Sequence, residues 1–166
     1  MDYSAYIDAL LKKFERSFTI SEGYEFQGYR YDFYAYFHEK RMRYFASKKM
    51  VLDEFNIYEH CFFQRVSFFG ENELREIGKR GQQMLAELVK PSLEHMSTTV
   101  TMVWVVDDPV SDDIKKKVKR YKLRRSYWLN IKGWSQMRLV LVALPRGEVV
   151  VSTDARKVED VYLPSF

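Results

Sequence analysis

A chain of 166 residues, 46% hydrophobic and 30% charged with a net charge of +4, has the composition of a globular protein rather than a disordered one. It is long enough to bury roughly 70% of its unfolded surface as one domain, residues 1–166. No stretch approaches the ~20 apolar residues of a membrane span, and a single cysteine, Cys61, excludes a disulfide framework within the chain. The first residues carry Asp2 and Asp8 and no apolar core, unlike a signal peptide. A cytoplasmic protein with no membrane partner is expected.

Tyr6, Ile7, Leu10, Phe14 and Phe18 recur at helical spacing, so residues 3–18 read as an amphipathic helix. Gly23 and Gly28 then punctuate the approach to an aromatic segment, in which ten of the twenty-two residues 24–45 are aromatic. Over residues 29–37 both alternating sets are bulky, which suits a strand covered on both sides. Residues 39–41 read as a hairpin loop, 42–50 as the returning strand and 56–69 as a third strand ended by Gly70. Leu74, Ile77, Met84, Leu85 and Leu88 form a helical stripe over 71–90, stopped by Pro91. Gly78 and Gly81 weaken that helix by ~1 kcal/mol each relative to Ala, an expense that close backbone packing would explain.

Residues 98–106 are β-branched and aromatic enough for a strong strand. Ser111 with Asp112 and Asp113 caps a helix whose buried stripe is Ile114, Val118 and Tyr121. Strands are expected at 127–131, 137–144 and 148–152, the last two joined by a turn at 145–147. The order α-β-β-β-α-β-α-β-β-β predicts a mixed α/β fold, α+β being the variant of it. In that fold a sheet of about five to six strands carries packed helices, with a right-handed crossover around 98–144.

Charge is clustered along this order. Residues 111–138 carry ten basic and two acidic residues, and residues 30–49 carry six and two, which leaves −8 on the remainder. Clustered cations point to a polyanionic partner. Eight of the eleven residues 115–125 are basic: Lys115, Lys116, Lys117, Lys119, Arg120, Lys122, Arg124 and Arg125. They suit phosphate contact, with Tyr127 and Trp128 close by for stacking. The plainer reading is a solvated helix end favoured by its macrodipole. No zinc-finger spacing, aromatic RNA-binding signature or clear helix-turn-helix accompanies them.

The aromatic hairpin is the second candidate. With its loop centred on Lys40, Asp32 would oppose Lys48, Tyr34 would oppose Ala46 and Tyr36 would oppose Tyr44. Arg30, Asp32, Tyr34, Tyr36 and His38 would then share a face with Tyr44 and Lys48. That face is either a platform for bases or a small polar ligand, or an Asp–Lys cross-strand pair beside buried rings. A one-residue slip of register reverses it.

Other chemistries find little support. Asp107 and Asp108 end a strong strand, where open sheets gather ligands, but they also make an ordinary turn before Pro109. His38, His60 and His95 lack metal-ligand spacing. His60 and Cys61 are adjacent on a strand and point to opposite faces, so they cannot form a dyad with each other. Gly-x-Ser-x-Gly, a phosphate-binding loop and a dinucleotide fingerprint are all missing from the sequence.

Two resemblances add to this reading. Residues 43–49 (Arg-Tyr-Phe-Ala-Ser-Lys-Lys), residues 90–98 (Lys-Pro-Ser-Leu-Glu-His-Met-Ser-Thr) and Gly133-Trp134 resemble an uncharacterised family of short proteins from anaerobic Gram-positive bacteria. That likeness spans nearly the whole chain and implies no activity. The order helix, three meandering strands, helix, strand resembles the core of the restriction-endonuclease-like superfamily. That family's motif is an Asp on one strand and Glu-x-Lys on the next. Asp32 matches the first acid, Glu59 stands as a migrated second one, and no Glu-x-Lys occurs in the chain.

The sequence therefore points first to a non-catalytic binding or interaction module with no evident cofactor. It would contact nucleic acid through Arg30, Tyr34, Tyr36, Lys115, Lys116, Lys119, Arg120, Lys122, Arg124 and Arg125. The rival is a nuclease-like hydrolase, or its inactive relative, using Asp32, Glu59 and Lys48 or Lys49 around a divalent metal. A homo-oligomer joined through the aromatic hairpin is the third reading.

Overall fold

The computed structural model of the protein describes residues 2–44 and 51–164. Helix α1 (Tyr3–Phe14) starts where the Asp2 carboxylate accepts the Ala5 N–H, and it buries Tyr6, Ile7, Leu10 and Phe14. A hairpin follows, of β1 (Thr19–Phe26) and β2 (Tyr29–Tyr44). Its two-residue turn has positive φ at both Gln27 and Gly28, the geometry that matches strand twist. Strand β3 (Val51–Val66) returns antiparallel to β2. Helix α2 (Glu71–Leu88) crosses to β4 (His95–Val106), which lies parallel to β3.

Helix α3 (Asp112–Arg120) makes a second crossover, through the short β5 (Leu123–Ser126), to β6 (Trp134–Ala143), parallel to β4. Strand β7 (Glu148–Val151), a 3-10 segment (Thr153–Val158) and the short α4 (Glu159–Tyr162) complete the chain. The protein is a mixed α/β fold built on one seven-stranded sheet, ordered β1-β2-β3-β4-β6-β5. Strand β7 also pairs with β6. Strand β5 lies along residues 134–137 of β6 and β7 along residues 140–143.

Each face of the sheet has its own core. Ile77, Met84 and Leu85 of α2 and Ile114 and Val118 of α3 pack over Phe62, Val100, Met102, Leu139 and Leu141. Helices α1 and α4 cover Phe63, Val103, Val105, Val140 and Val142 on the other face. The alternation that sorts these residues changes phase once, at Asp32. Tyr31 and Tyr34 belong to the same core although they are three residues apart, while Ala35 belongs to the opposite one. The slip lies across from Gly23, whose φ of 57° only glycine adopts without strain.

Three expectations are corrected. The hairpin does not turn at residues 39–41: β2 runs on to Tyr44, and Tyr36 pairs with His60, Tyr34 with Phe62 and Lys40 with Asn56. Glu39, Lys40 and Arg41 include no turn-forming residue and continue the alternation, and Lys40 forms an ion pair with Glu54 of β3 at 2.7 Å. The proposed partners Ala46 and Lys48 lie outside the described residues. Second, Gly23 lies inside a strand, β1, and Gly28 in the turn that follows it. Third, residues 127–131 form a loop, not a strand: Trp128, Leu129 and Asn130 all have positive φ, at 51°, 51° and 70°. The expected close approach at α2 occurs at Gly81, where a Cβ would stand 2.3 Å from Met137 Sδ, and not at Gly78, where it would meet nothing within 4 Å.

Candidate anion-binding cleft

On β6 the residues facing α1 and α4 change character midway. Val140 and Val142 lie under the helices. Trp134, Gln136 and Arg138, nearer the start of the strand, line a cleft of about 700 Å³ instead. The other walls are Arg124, Arg125 and Ser126 of β5, Asn130 of the following loop, and Thr153, Asp154 and Lys157 of the 3-10 segment. Register makes this grouping: Arg124 pairs with Gln136 and Ser126 with Trp134. The floor is polar without being open, since Gln136 and Thr99 are 6% and 4% exposed. Gln136 Nε2 donates to Thr99 Oγ1 at 3.4 Å.

The cations Arg124, Arg138 and Lys157 and the carboxylate of Asp154 line the cleft. Asp154, whose side chain is 1% exposed, accepts from Arg124 Nε at 2.9 Å and from its terminal nitrogen. Those hydrogen bonds hold the Arg124 guanidinium above its ordinary pKa. Arg138 donates to the Asp154 carbonyl at 3.1 Å and lies 3.8 Å from Glu59. Arg125, one position along β5, turns to the other face of the sheet and donates to the Gln82 side chain of α2. Lys157 forms no ion pair among the described residues. The half-exposed Trp134 offers the cleft an aromatic wall.

The sequence-derived candidates are scattered around this cleft. Among them, the Arg124 side chain lines it, and Arg125 contributes to its wall from a side chain turned to α2. Lys115 pairs with Glu148 at 2.6 Å and with Asp112 at 3.7 Å, and Lys117 with Glu71 at 2.8 Å and Asp113 at 3.1 Å. Those cations tie α3 to β7 and α2. Lys116, Lys119, Arg120 and Lys122 are exposed on and just past α3 and form no ion pair among the described residues. Arg30 lies in the β1–β2 hairpin, its guanidinium nitrogen 3.3 Å from where a Cβ on Gly23 would stand.

Tyr34 and Tyr36 are half-buried on the α2 face of the sheet. Tyr34 stacks on Tyr24 with centroids 4.1 Å apart and shares a 2.7 Å hydrogen bond with His60 Nδ1. Tyr36 packs against the His60 ring at 5.2 Å. Burial raises both phenol pKa values and lowers that of His60 to about 4. His38 stacks on Tyr58 at 4.7 Å. These rings stand against one another, so most of their faces are already used.

The acidic candidates do not converge. Asp32 accepts from the Tyr3 hydroxyl at 3.0 Å and from the Arg65 backbone N–H at 2.7 Å, where β2 has left β3. Glu59 lies six residues before Arg65 on β3, which is about 20 Å along the strand. Lys48 and Lys49 lie outside the described residues. Asp107 is held by Arg65 Nε at 3.0 and 3.1 Å. Among the described residues no group of three His, Cys, Asp or Glu side chains is placed to hold a metal ion. Cys61 lies on the face opposite His60, and burial pushes its thiol up to about 12.

Sequence reasoning missed Trp134, Gln136, Arg138, Thr153, Asp154 and Lys157. One signal was readable: Trp134, Gln136 and Arg138 alternate as polar or aromatic residues entering an otherwise aliphatic strand. The part played by residues 153–157 depends on the chain folding back beneath β5, which no local pattern announces.

The fold and cleft define a mixed α/β protein with a cationic surface recess. The chain belongs to the family described as a domain of unknown function, DUF8052, which matches residues 2–164. No curated protein and no solved structure matches it. Among the described residues no helix is long and apolar enough to cross a membrane.

Proposed function

We propose that the protein is a non-catalytic, cytoplasmic binding module that holds phosphate groups of a single-stranded nucleic acid in the cleft between β5, β6 and the 3-10 segment. The carrying observation is the charge of that recess. Arg124 and Arg138 are offset by Asp154 and Glu59, whereas Lys157 has no acid beside it among the described residues. Trp134 supplies a ring on which a base stacks, and Lys119, Arg120 and Lys122 extend the positive track beyond the cleft. Phosphate attraction with sequence-tolerant stacking is the established physical basis of such binding. The reading requires no metal and no cofactor.

Fluorescence anisotropy with a labelled oligothymidylate tests it. Binding is expected at low salt, weakening log-linearly as salt rises, with a shallower slope in the Lys157→Ala variant. The Lys157 side chain is exposed, so the variant leaves the core intact. An absence of binding at low salt would contradict the proposal, as would a salt slope unchanged in that variant.

A further inference from the structure

The loop between β5 and β6 displays apolar side chains where packing gives no reason for them. Leu129 is 93% exposed, Trp128 70% and Ile131 62%, and Leu93, in the turn before β4, is 70% exposed. Among the described residues these are the four most exposed large apolar side chains. They gather at one end of the sheet. His95, two residues after Leu93, binds the Lys132 carbonyl through Nδ1 at 2.8 Å. Gly133 sits so close that a Cβ there would stand 2.4 Å from the His95 carbonyl oxygen. Met96, 41% exposed, lies beside them.

The loop is held in an unfavourable shape. Trp128, Leu129 and Asn130 are consecutive left-handed residues, each costing about 1–2 kcal/mol relative to ordinary backbone. Four backbone bonds retain them: Ile131 N to Trp128 O, Lys132 N to Tyr127 O, Gly133 N to Asn130 O, and Tyr127 N to Gly133 O, all between 2.9 and 3.1 Å. Strain maintained in this way marks functional segments more often than idle ones. The result is a hydrogen-bonded loop tip whose apolar side chains stand exposed.

Cations surround the tip. Lys132 Nζ lies 4.1 Å over the Trp128 ring, and exposed Lys90 precedes Leu93. Asn130 belongs to both tip and cleft, and Lys157 lines the same cleft. Glu94 is the one exposed acid in the turn beside Leu93. We propose that this end of the molecule docks on an anionic membrane surface, with Trp128, Leu129 and Ile131 entering the interface and Lys132 and Lys90 meeting lipid phosphates. Tryptophan with aliphatic neighbours and a basic collar is what a bilayer interface selects. A second copy of the chain would bring one cationic collar against another, and bases stack on rings but not on Leu129 or Ile131. A surface contact of this kind needs no membrane span.

The test is flotation with phosphatidylcholine vesicles, with and without phosphatidylglycerol, alongside tryptophan emission. The wild-type chain is expected to float only with the anionic vesicles and to shift its emission to the blue, a shift lost in Trp128→Phe. The Leu129→Glu/Ile131→Glu double variant is expected to bind vesicles about tenfold more weakly or worse. It should keep its far-ultraviolet circular dichroism, because neither side chain touches the core. Absence of flotation on anionic vesicles would overturn the proposal, and so would flotation unaffected by the double variant. Vesicle-free self-association abolished by that variant would assign the tip to a second copy and would also overturn it. An oligonucleotide result of either sign bears on the cleft and leaves the membrane proposal standing on its own arms.

Discussion

His60 is 7% exposed, and burial lowers its pKa to about 4 from an ordinary value near 6.5. An unfolded chain takes up this proton near pH 6.5 and the folded chain only near pH 4, so between those values the unfolded state binds more protons. Stability is therefore full above about pH 6.5 and falls as pH drops toward 4, by about 3 kcal/mol from this group. Urea denaturation of the wild type and of His60→Gln at about pH 7 and about pH 4.5 checks it; the variant is expected to lose less between the two. The Arg124–Asp154 pair makes a second residue-scale prediction. Its carboxylate is 1% exposed and its guanidinium 54%, so the two partners are not equivalent. Arg124→Ala leaves a buried charge and is expected to cost about 3 kcal/mol, whereas Asp154→Ala frees a cation into water and costs less. Equal losses in denaturant midpoint would contradict this asymmetry.

At the scale of elements, α2 rests on β6 at Gly81. Gly81→Ala pushes Cβ into Met137 Sδ and toward the Tyr121 hydroxyl, and is expected to cost about 1–3 kcal/mol as overpacking. Gly78→Ala meets nothing within 4 Å and is expected to stabilise the helix by up to ~1 kcal/mol. Thermal denaturation of the two variants should move the midpoint in opposite directions. Helices α1, α2 and α3 were legible because each combines a periodic apolar stripe with a recognisable start or stop, such as Asp2, Pro91 or Ser111. The β1–β2 hairpin was not. Gln27-Gly28 is a weak turn signal, and the long alternation through residues 39–41 concealed that β2 is one strand of sixteen residues. The phase slip at Asp32 lies beyond any period-two reading, since it is fixed by Gly23 on the neighbouring strand and by Tyr3 and Arg65.

At the scale of the whole molecule, the sheet divides the basic segment that dominates the sequence. Lys115 and Lys117 anchor α3 in ion pairs, Arg124 neutralises a buried carboxylate, Arg125 turns to Gln82 of α2, and Lys157 remains to meet a ligand. Charge density along the chain thus exposed a polyanion tendency but not its location, because strand pairing and the return of residues 153–157 decide which cations share a surface. The aromatic hairpin resolves the other way. Most of its rings fill the two cores or stack on one another. The account of function accordingly rests on the cleft. Titration of a labelled oligothymidylate over a range of salt concentrations, with wild type and Lys157→Ala side by side, tests it most directly. Each lost phosphate contact is expected to reduce the log–log slope by about 0.7. Binding that is absent at low salt, or slopes that coincide, would contradict the account.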